Sequence, residues 1–150
     1  PIIHRVLKML RIQAEERDIR LTAQIDDPCA ILATQGEVHQ MVYNLTENAV
    51  KYDLDGGYVL VRLSVEEGMG VIQVSDNGIG IPEGDRSRVF ERFYRVDKAR
   101  SRAAGGTGLG LSIVRDTVKR RGGTISLAPG AEGGSVFTIR MPLAREEEAL

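Results

Sequence analysis

Asn44, Asn48 and Lys51 fall at i, i+4 and i+7 of one helical stretch, so they form a single stripe beside its apolar face. A solvated face is the ordinary meaning of such a stripe. Asparagine, however, is a poor helix former because its amide competes for nearby backbone groups, and two of them one turn apart is a local cost that wants a reason. An amide oxygen is a hard, neutral donor suited to Mg2+, which keeps phosphate and water among its ligands, and Lys51 is placed to meet a phosphate oxygen. A second candidate, Asp76-Asn77-Gly78-Ile79-Gly80, follows directly on a strand. It reads as a plain turn or as a carboxylate held at a strand end to accept from an amino group such as adenine N6, with glycines letting the ring approach the backbone. A guanine, with a carbonyl at the corresponding position, would be repelled. The third, Gly105-Gly106-Thr107-Gly108-Leu109-Gly110-Leu111, has four glycines in six residues before a helix. Its spacing fits neither the dinucleotide fingerprint nor a Walker A loop. Unpaired N–H groups aligned with the positive end of a helix dipole still make an anion site, with a cap or a hinge as the competing account.

The elements that must position these residues follow from periodicity. Ile3, Leu7, Leu10 and Ala14 predict a first amphipathic helix to about Arg17, and Ile19, Leu21, Ala23 and Ile25 alternate as in a half-buried strand. Asp26-Asp27-Pro28 turns the chain, and residues 30–33 suit a short strand. Thr34 and Glu37 form a capping box for a second helix to about Tyr52, whose apolar face is Val38, Met41, Val42, Leu45 and Ala49. Val59, Val61, Leu63 and Val65 alternate in a strand, Glu67-Gly68-Met69-Gly70 reads as a hairpin loop, and residues 71–75 as the partner strand. Residues 95–106 are charged or small apart from Val96, so little there anchors to a core and the stretch is expected to be mobile. Leu109, Ile113, Val114 and Val118 predict a third helix ending before Gly122-Gly123, and residues 124–128 and 135–141 a closing hairpin. The expected architecture is one mixed, mostly antiparallel sheet with helices on one face.

A length of 150 residues fits one domain, and 42% apolar with 27% charged residues supports a buried core. The net charge of −1 argues against a nucleic-acid or membrane-surface binder. A lone cysteine, Cys29, allows neither an internal disulfide nor a cysteine zinc site, and suggests a reducing compartment. No apolar run approaches the roughly 20 residues that cross a bilayer. The chain opens at Pro1 with no signal-peptide layout, which is read as a piece of a longer protein.

Taken together, Asn44…Asn48, Asp76-x-Gly78-x-Gly80 and Gly106-x-Gly108-x-Gly110 resemble, in order, the N, G1 and G2 boxes of the GHKL ATPase superfamily of gyrase, heat-shock chaperone, histidine kinase and MutL. Phe90-Glu91-Arg92-Phe93-Tyr94-Arg95 resembles the F box of sensor histidine kinases, and residues 44–52 and 106–114 are close to the same branch. The resemblance covers nearly the whole chain. It implies an α+β, two-layer α/β sandwich of the Bergerat ATP-binding type, spanning residues 1–150 as the catalytic domain of a two-component sensor kinase. Residues 1–17 would be the connecting helix and about 95–106 the ATP lid. The implied ligands are ATP and Mg2+, with Asn48 on the metal and Asn44 nearby. Lys51 would touch the triphosphate, and Tyr52 would lie against the adenine. Asp76 would receive the adenine amino group, with Gly78, Gly80 and Ile81 around the ring. Gly106, Thr107, Gly108, Leu109, Gly110 and Leu111 would wrap the phosphates, Arg95 would meet the γ-phosphate during transfer, and Thr138 would support Asp76. The implied partners are a phosphoacceptor and dimerisation domain of the same parent and, indirectly, a response regulator. This domain alone would be a monomer, its parent a homodimer anchored in the bacterial membrane with the domain in the cytoplasm.

Neither histidine fits a phosphoacceptor, which in this family precedes Glu, a basic residue, Thr and Pro: His4 precedes Arg5-Val6 and His39 precedes Gln40-Met41. Three alternatives remain. A GHKL hydrolase would carry a general-base Glu where Asn44 stands, and an amide cannot do that work, although Glu47 is near. A serine kinase of the anti-sigma-factor type shares the boxes, and an ATP-gated interaction module would keep the phosphate on the nucleotide. Phe90, Phe93 and Tyr94 read as anchors rather than ligands.

Overall fold

The fold is a computed structural model that describes residues 2–26, 31, 33–52, 56–78, 90, 110–130 and 133–143. In chain order the elements are α1 (Ile2–Glu16), β1 (Arg20–Ile25), α2 (Gln35–Tyr52), β2 (Tyr58–Glu66), β3 (Met69–Asp76), α3 (Gly110–Arg120), β4 (Thr124–Pro129) and β5 (Ser135–Pro142). The strands form one sheet in the order β1-β2-β3-β5-β4, with β1 and β2 parallel and every other pair antiparallel. This is the mixed, mostly antiparallel sheet with helices on one face expected from the periodicity, and the α+β sandwich that the resemblance implies. Residues 27–30, and with them the expected Asp26-Asp27-Pro28 turn, lie mostly outside the described residues. Of the short strand at 30–33 only an isolated bridge between Ile31 and Leu143 is described.

Three helices cover one face of the sheet: α2 packs on β2 and β3, α1 on β1 and α2, and α3 on β4 and α2. Period-two alternation in β5 turns Ser135, Phe137, Ile139 and Met141 inward, and the register sets Phe137 opposite Val74 and Ile139 opposite Ile72. Both pairs join a core with Leu10, Met41, Leu45 and Val114. Phe90 is buried edge-on against Phe137, ring centres 6.0 Å apart, as the anchoring reading expected; Phe93 and Tyr94 lie outside the described residues.

Two local readings are corrected. The β2–β3 turn is only Glu67-Gly68, both at positive φ (53° and 76°), so Met69 and Gly70 belong to β3 and pair with Glu66 and Val65. Ile113, read as part of the apolar face of α3, is 36% exposed, because Ser112, Val114, Thr117 and Val118 occupy the side toward the core.

The capping box of α2 forms as expected and also ties α2 to α3. Glu37 N–H donates to Thr34 Oγ1 (3.1 Å), and Thr34 N–H to Glu37 Oε1 (2.9 Å). The same carboxylate accepts from Arg121 Nε (2.9 Å) and Nη2 (2.6 Å) and from Arg120 Nη2 (3.0 Å) at the end of α3. The Arg121 hydrogen bond, helped by Thr34 N–H, holds the Glu37 pKa down to about 2. A folded-state pKa below the ordinary value adds stability that is complete above about pH 4.5 and is lost as pH falls toward 2. We therefore expect Glu37→Ala to cost about 1–2 kcal/mol at pH 7, from the lost cap and a partly exposed ion pair. Urea titrations of the two proteins should give a gap that narrows steadily below pH 4; a gap unchanged at pH 3 would refute this account.

Candidate nucleotide-binding site

The buried and open sides of α2 separate cleanly. Met41, Val42, Leu45, Thr46, Ala49 and Val50 are buried, whereas Tyr43, Asn44, Glu47, Asn48 and Lys51 form a half-exposed strip. The stripe predicted for Asn44, Asn48 and Lys51 is thus on the accessible side, and Tyr52 closes the helix. Tyr43 and Glu47 share the strip and were not singled out as a unit by spacing alone. The Tyr43 hydroxyl donates to Glu47 Oε2 (2.8 Å), and Lys51 Nζ lies 3.3 Å from Glu47 Oε1. The hydrogen bond to Glu47 pushes the Tyr43 pKa up, with burial adding to it. Both oxygens of Glu47 are therefore engaged in orienting neighbours.

Asn44 Nδ2 donates across the helix pair to the carbonyl of Gly110, a long contact of 3.5 Å. It joins this strip to the first residue of α3, with Leu111 half-buried in the first turn. A carboxylate at position 44 would face that carbonyl oxygen with like partial charge. The first N–H groups of α3 have no intrahelical partner and lie at the positive end of its dipole, where phosphate oxygens are favoured. Gly106, Thr107, Gly108 and Leu109, which would complete the phosphate loop, lie outside the described residues, as do Gly80, Ile81 and Arg95.

Asp76 is the last residue of β3 and continues the buried stripe of Ile72 and Val74, only 6% exposed. A carboxylate at the end of an apolar stripe needs donors. Gly78 N–H supplies one to Oδ1 (2.9 Å), the Ser135 hydroxyl one to Oδ2 (3.1 Å), and the Ser135 backbone another. Burial raises the Asp76 pKa above its ordinary value, and these donors oppose the rise. A carboxylate has about four lone-pair positions, so acceptor capacity is left for an incoming amino group. Next to it, Asn77 Oδ1 accepts from Tyr58 N–H (2.8 Å), pinning the loop to the start of β2.

Thr138 does not support Asp76. It sits opposite Gln73, whose Nε2 donates to its hydroxyl (3.3 Å), on the face of the sheet away from the core. Antiparallel register brings Ser135 level with Asp76 instead, and alternation turns Ser135 inward. The signal was available: counting back by twos from Phe137 reaches Ser135. His4 is exposed on α1, and His39 is half-exposed with its ring stacked on Tyr43 at 6.2 Å.

The model of the histidine kinase-, DNA gyrase B-, and HSP90-like ATPases matches residues 33–145. The chain belongs to this ATPase family. It is 46% identical over 117 residues to the sensor histidine kinase WalK of Bacillus subtilis (strain 168), covering 76% of this chain and 19% of WalK. With the sensor-like histidine kinase SenX3 of Mycolicibacterium smegmatis it shares 38% identity over 141 residues, covering 94% of this chain and 37% of SenX3. The chain therefore spans well under half the length of these two relatives. The solved structure of the mycobacterial sensor histidine kinase MprB superposes with a TM-score of 0.83 at 31% identity, covering 95% of this chain and 93% of that one. Asp76 is a buried acceptor at the end of β3, and on the open strip of α2 the Asn44 amide meets the first residue of α3. No described helix is long and apolar enough to cross a membrane.

Proposed function

We propose that this chain is the ATP-binding, catalytic domain of a sensor histidine kinase, and that it passes the γ-phosphoryl group of ATP to a histidine on a separate phosphoacceptor and dimerisation domain. In that transfer the bond from the γ-phosphorus to the ADP oxygen breaks and one to an imidazole nitrogen forms. The observation that carries the nucleotide half of this reading is Asp76, a buried carboxylate with donors on both oxygens and acceptor capacity to spare. The transfer half is supported by the similarity to WalK, SenX3 and MprB.

Asp76 selects adenine over guanine, with Gly78, Gly80 and Ile81 bounding the ring and Tyr52 beside it. Lys51 contacts the triphosphate, the segment from Gly106 to Leu111 wraps it, and Arg95 stabilises the charge that develops on the γ-phosphate. Residues 95–106 act as the lid. The amide of Asn48, on the open strip of α2, is a hard oxygen donor that fits Mg2+, and the bound ion would neutralise phosphate charge there. Phosphoryl transfer depends mainly on such positioning and charge stabilisation, so the protein need supply no covalent chemistry of its own. Water-directed hydrolysis is disfavoured by two contacts: Asn44 donates to Gly110, and Glu47 is held by Tyr43 and Lys51. In this reading the parent is a homodimer anchored in the bacterial membrane with this domain on the cytoplasmic side, and a response regulator takes the phosphoryl group next.

Asn48→Ala is expected to reduce the gain in ATP affinity on adding Mg2+ by about tenfold or more, while ATP binding without metal stays near wild type. Calorimetric titration with and without Mg2+ reads this directly. A melting temperature lowered as much as by a core deletion, with the Mg2+ effect intact, would make Asn48 structural.

A further inference from the structure

The corner between α1 and β1 grips the end of α2. The chain leaves α1 through Arg17 and Asp18, the latter at φ 54°, and Ile19 N–H folds back onto the Ala14 carbonyl (2.9 Å). From this corner the half-buried Arg17 side chain reaches the last turn of α2. Its Nη1 donates to the carbonyls of Val50 (2.5 Å) and Lys51 (2.8 Å), and the Arg17 carbonyl accepts from Gly56 N–H (3.0 Å) beyond the helix. The last carbonyls of a helix have no intrahelical donor and carry the negative end of its dipole, so a guanidinium there satisfies two of them and complements the charge. A helix is usually capped by its own next residues. Here the cap comes from the corner between α1 and β1, and one of the two carbonyls belongs to Lys51, whose ammonium the proposed function sets on the triphosphate.

We propose that Arg17 is a positioning residue for the phosphate end of the nucleotide site: it fixes the last turn of α2 so that Lys51 is held where the phosphates bind. The inference rests on the reading of Lys51 given under the proposed function. It predicts a larger effect on phosphate-bearing ligands than on adenosine, because Asp76 lies on β3 and, of the residues proposed around the adenine, only Tyr52 shares the turn that Arg17 caps.

The test is the affinity of the chain for ATP and for adenosine, measured for wild type, Arg17→Ala, Arg17→Lys, Lys51→Ala and the Arg17→Ala/Lys51→Ala pair. Arg17→Ala should weaken ATP about 2- to 30-fold, the span typical of residues that act through a neighbour, and weaken adenosine distinctly less. Arg17→Lys, which keeps the charge but not the planar fork, should lose less. In the Lys51→Ala background the Arg17→Ala effect on ATP should fall to its effect on adenosine. A lowered melting temperature with ATP affinity unchanged, equal loss for ATP and adenosine, or effects that multiply in the pair would each overturn the inference. Should Arg17→Ala fail to fold, the ATP-to-adenosine ratio of Arg17→Lys decides in the same way. A wild-type chain that binds no ATP, or binds it independently of Asp76, would instead overturn the nucleotide-site reading on which this one stands.

Discussion

Asp76→Ala should weaken ATP binding by about 10- to 150-fold, the equivalent of one hydrogen bond to a charged group, and should abolish the preference for ATP over GTP. Ionisation makes the carboxylate the stronger acceptor for the adenine amino group. Because burial raises its pKa, ATP affinity should begin to fall with decreasing pH before an exposed aspartate would titrate. The stability term has the opposite sign: with the folded-state pKa raised, ionising Asp76 costs stability as pH rises through the carboxylate range. Any advantage of wild type over Asp76→Asn in melting temperature should therefore shrink as pH rises through the carboxylate range, because the amide carries no charge to bury but sets an NH2 against a present donor, while the variant binds ATP less well. Calorimetry with ATP and GTP across pH, beside thermal melts, separates the two effects. Equal affinities of wild type for the two nucleotides would show that Asp76 does not read the base.

Gly134→Ala should be the most damaging change of a single methyl group near the site. Gly134 lies at φ +74°, and a Cβ there would meet the Asp76 carbonyl oxygen and, at 2.6 Å, its Oδ1. Left-handed backbone costs a residue with a Cβ about 1–2 kcal/mol, and overpacking about 1–3 kcal/mol more, so a loss of about 2–5 kcal/mol is expected. Gly68 is the matched control: it has φ +76° with open space around it. Gly68→Ala should show the backbone cost alone and leave ATP binding intact, whereas Gly134→Ala should also displace Asp76 and weaken ATP. Urea unfolding of both variants measures the difference, and equal losses would mean that the bare backbone at Gly134 is not needed to seat Asp76.

Most of the fold was legible because its signals are local. The capping box at Thr34 and Glu37, alternation in β2 and β5, and the glycine stop after α3 each act within a few residues. What went astray depended on long-range register. Thr138 was matched to Asp76 by its place in a motif, but pairing of β3 with β5 puts it opposite Gln73 and gives Asp76 the Ser135 hydroxyl. Arg17 read as the end of a helix, since nothing nearby in sequence announces that it caps a helix 33 residues away. Glu47 and Tyr43 were hidden for another reason: spacing shows that they share a side of α2 with Lys51, while the hydrogen bonds among them depend on rotamers. The site residues with the plainest chemical signal, Asp76, Asn44 and Asn48, are polar groups placed where the element itself gains nothing from them.

The central claim is that this domain binds ATP but needs an acceptor surface from elsewhere to receive the phosphoryl group. Incubation of the chain with γ-labelled ATP and Mg2+, with and without a helical domain of its parent bearing a histidine followed by Glu, a basic residue, Thr and Pro, tests it most directly. The account predicts label on that histidine only when both are present, with Arg95→Ala slowing transfer more than it weakens ATP binding. Label on His4 or His39 of the isolated chain, rapid release of free phosphate, or no transfer to the added domain would contradict it.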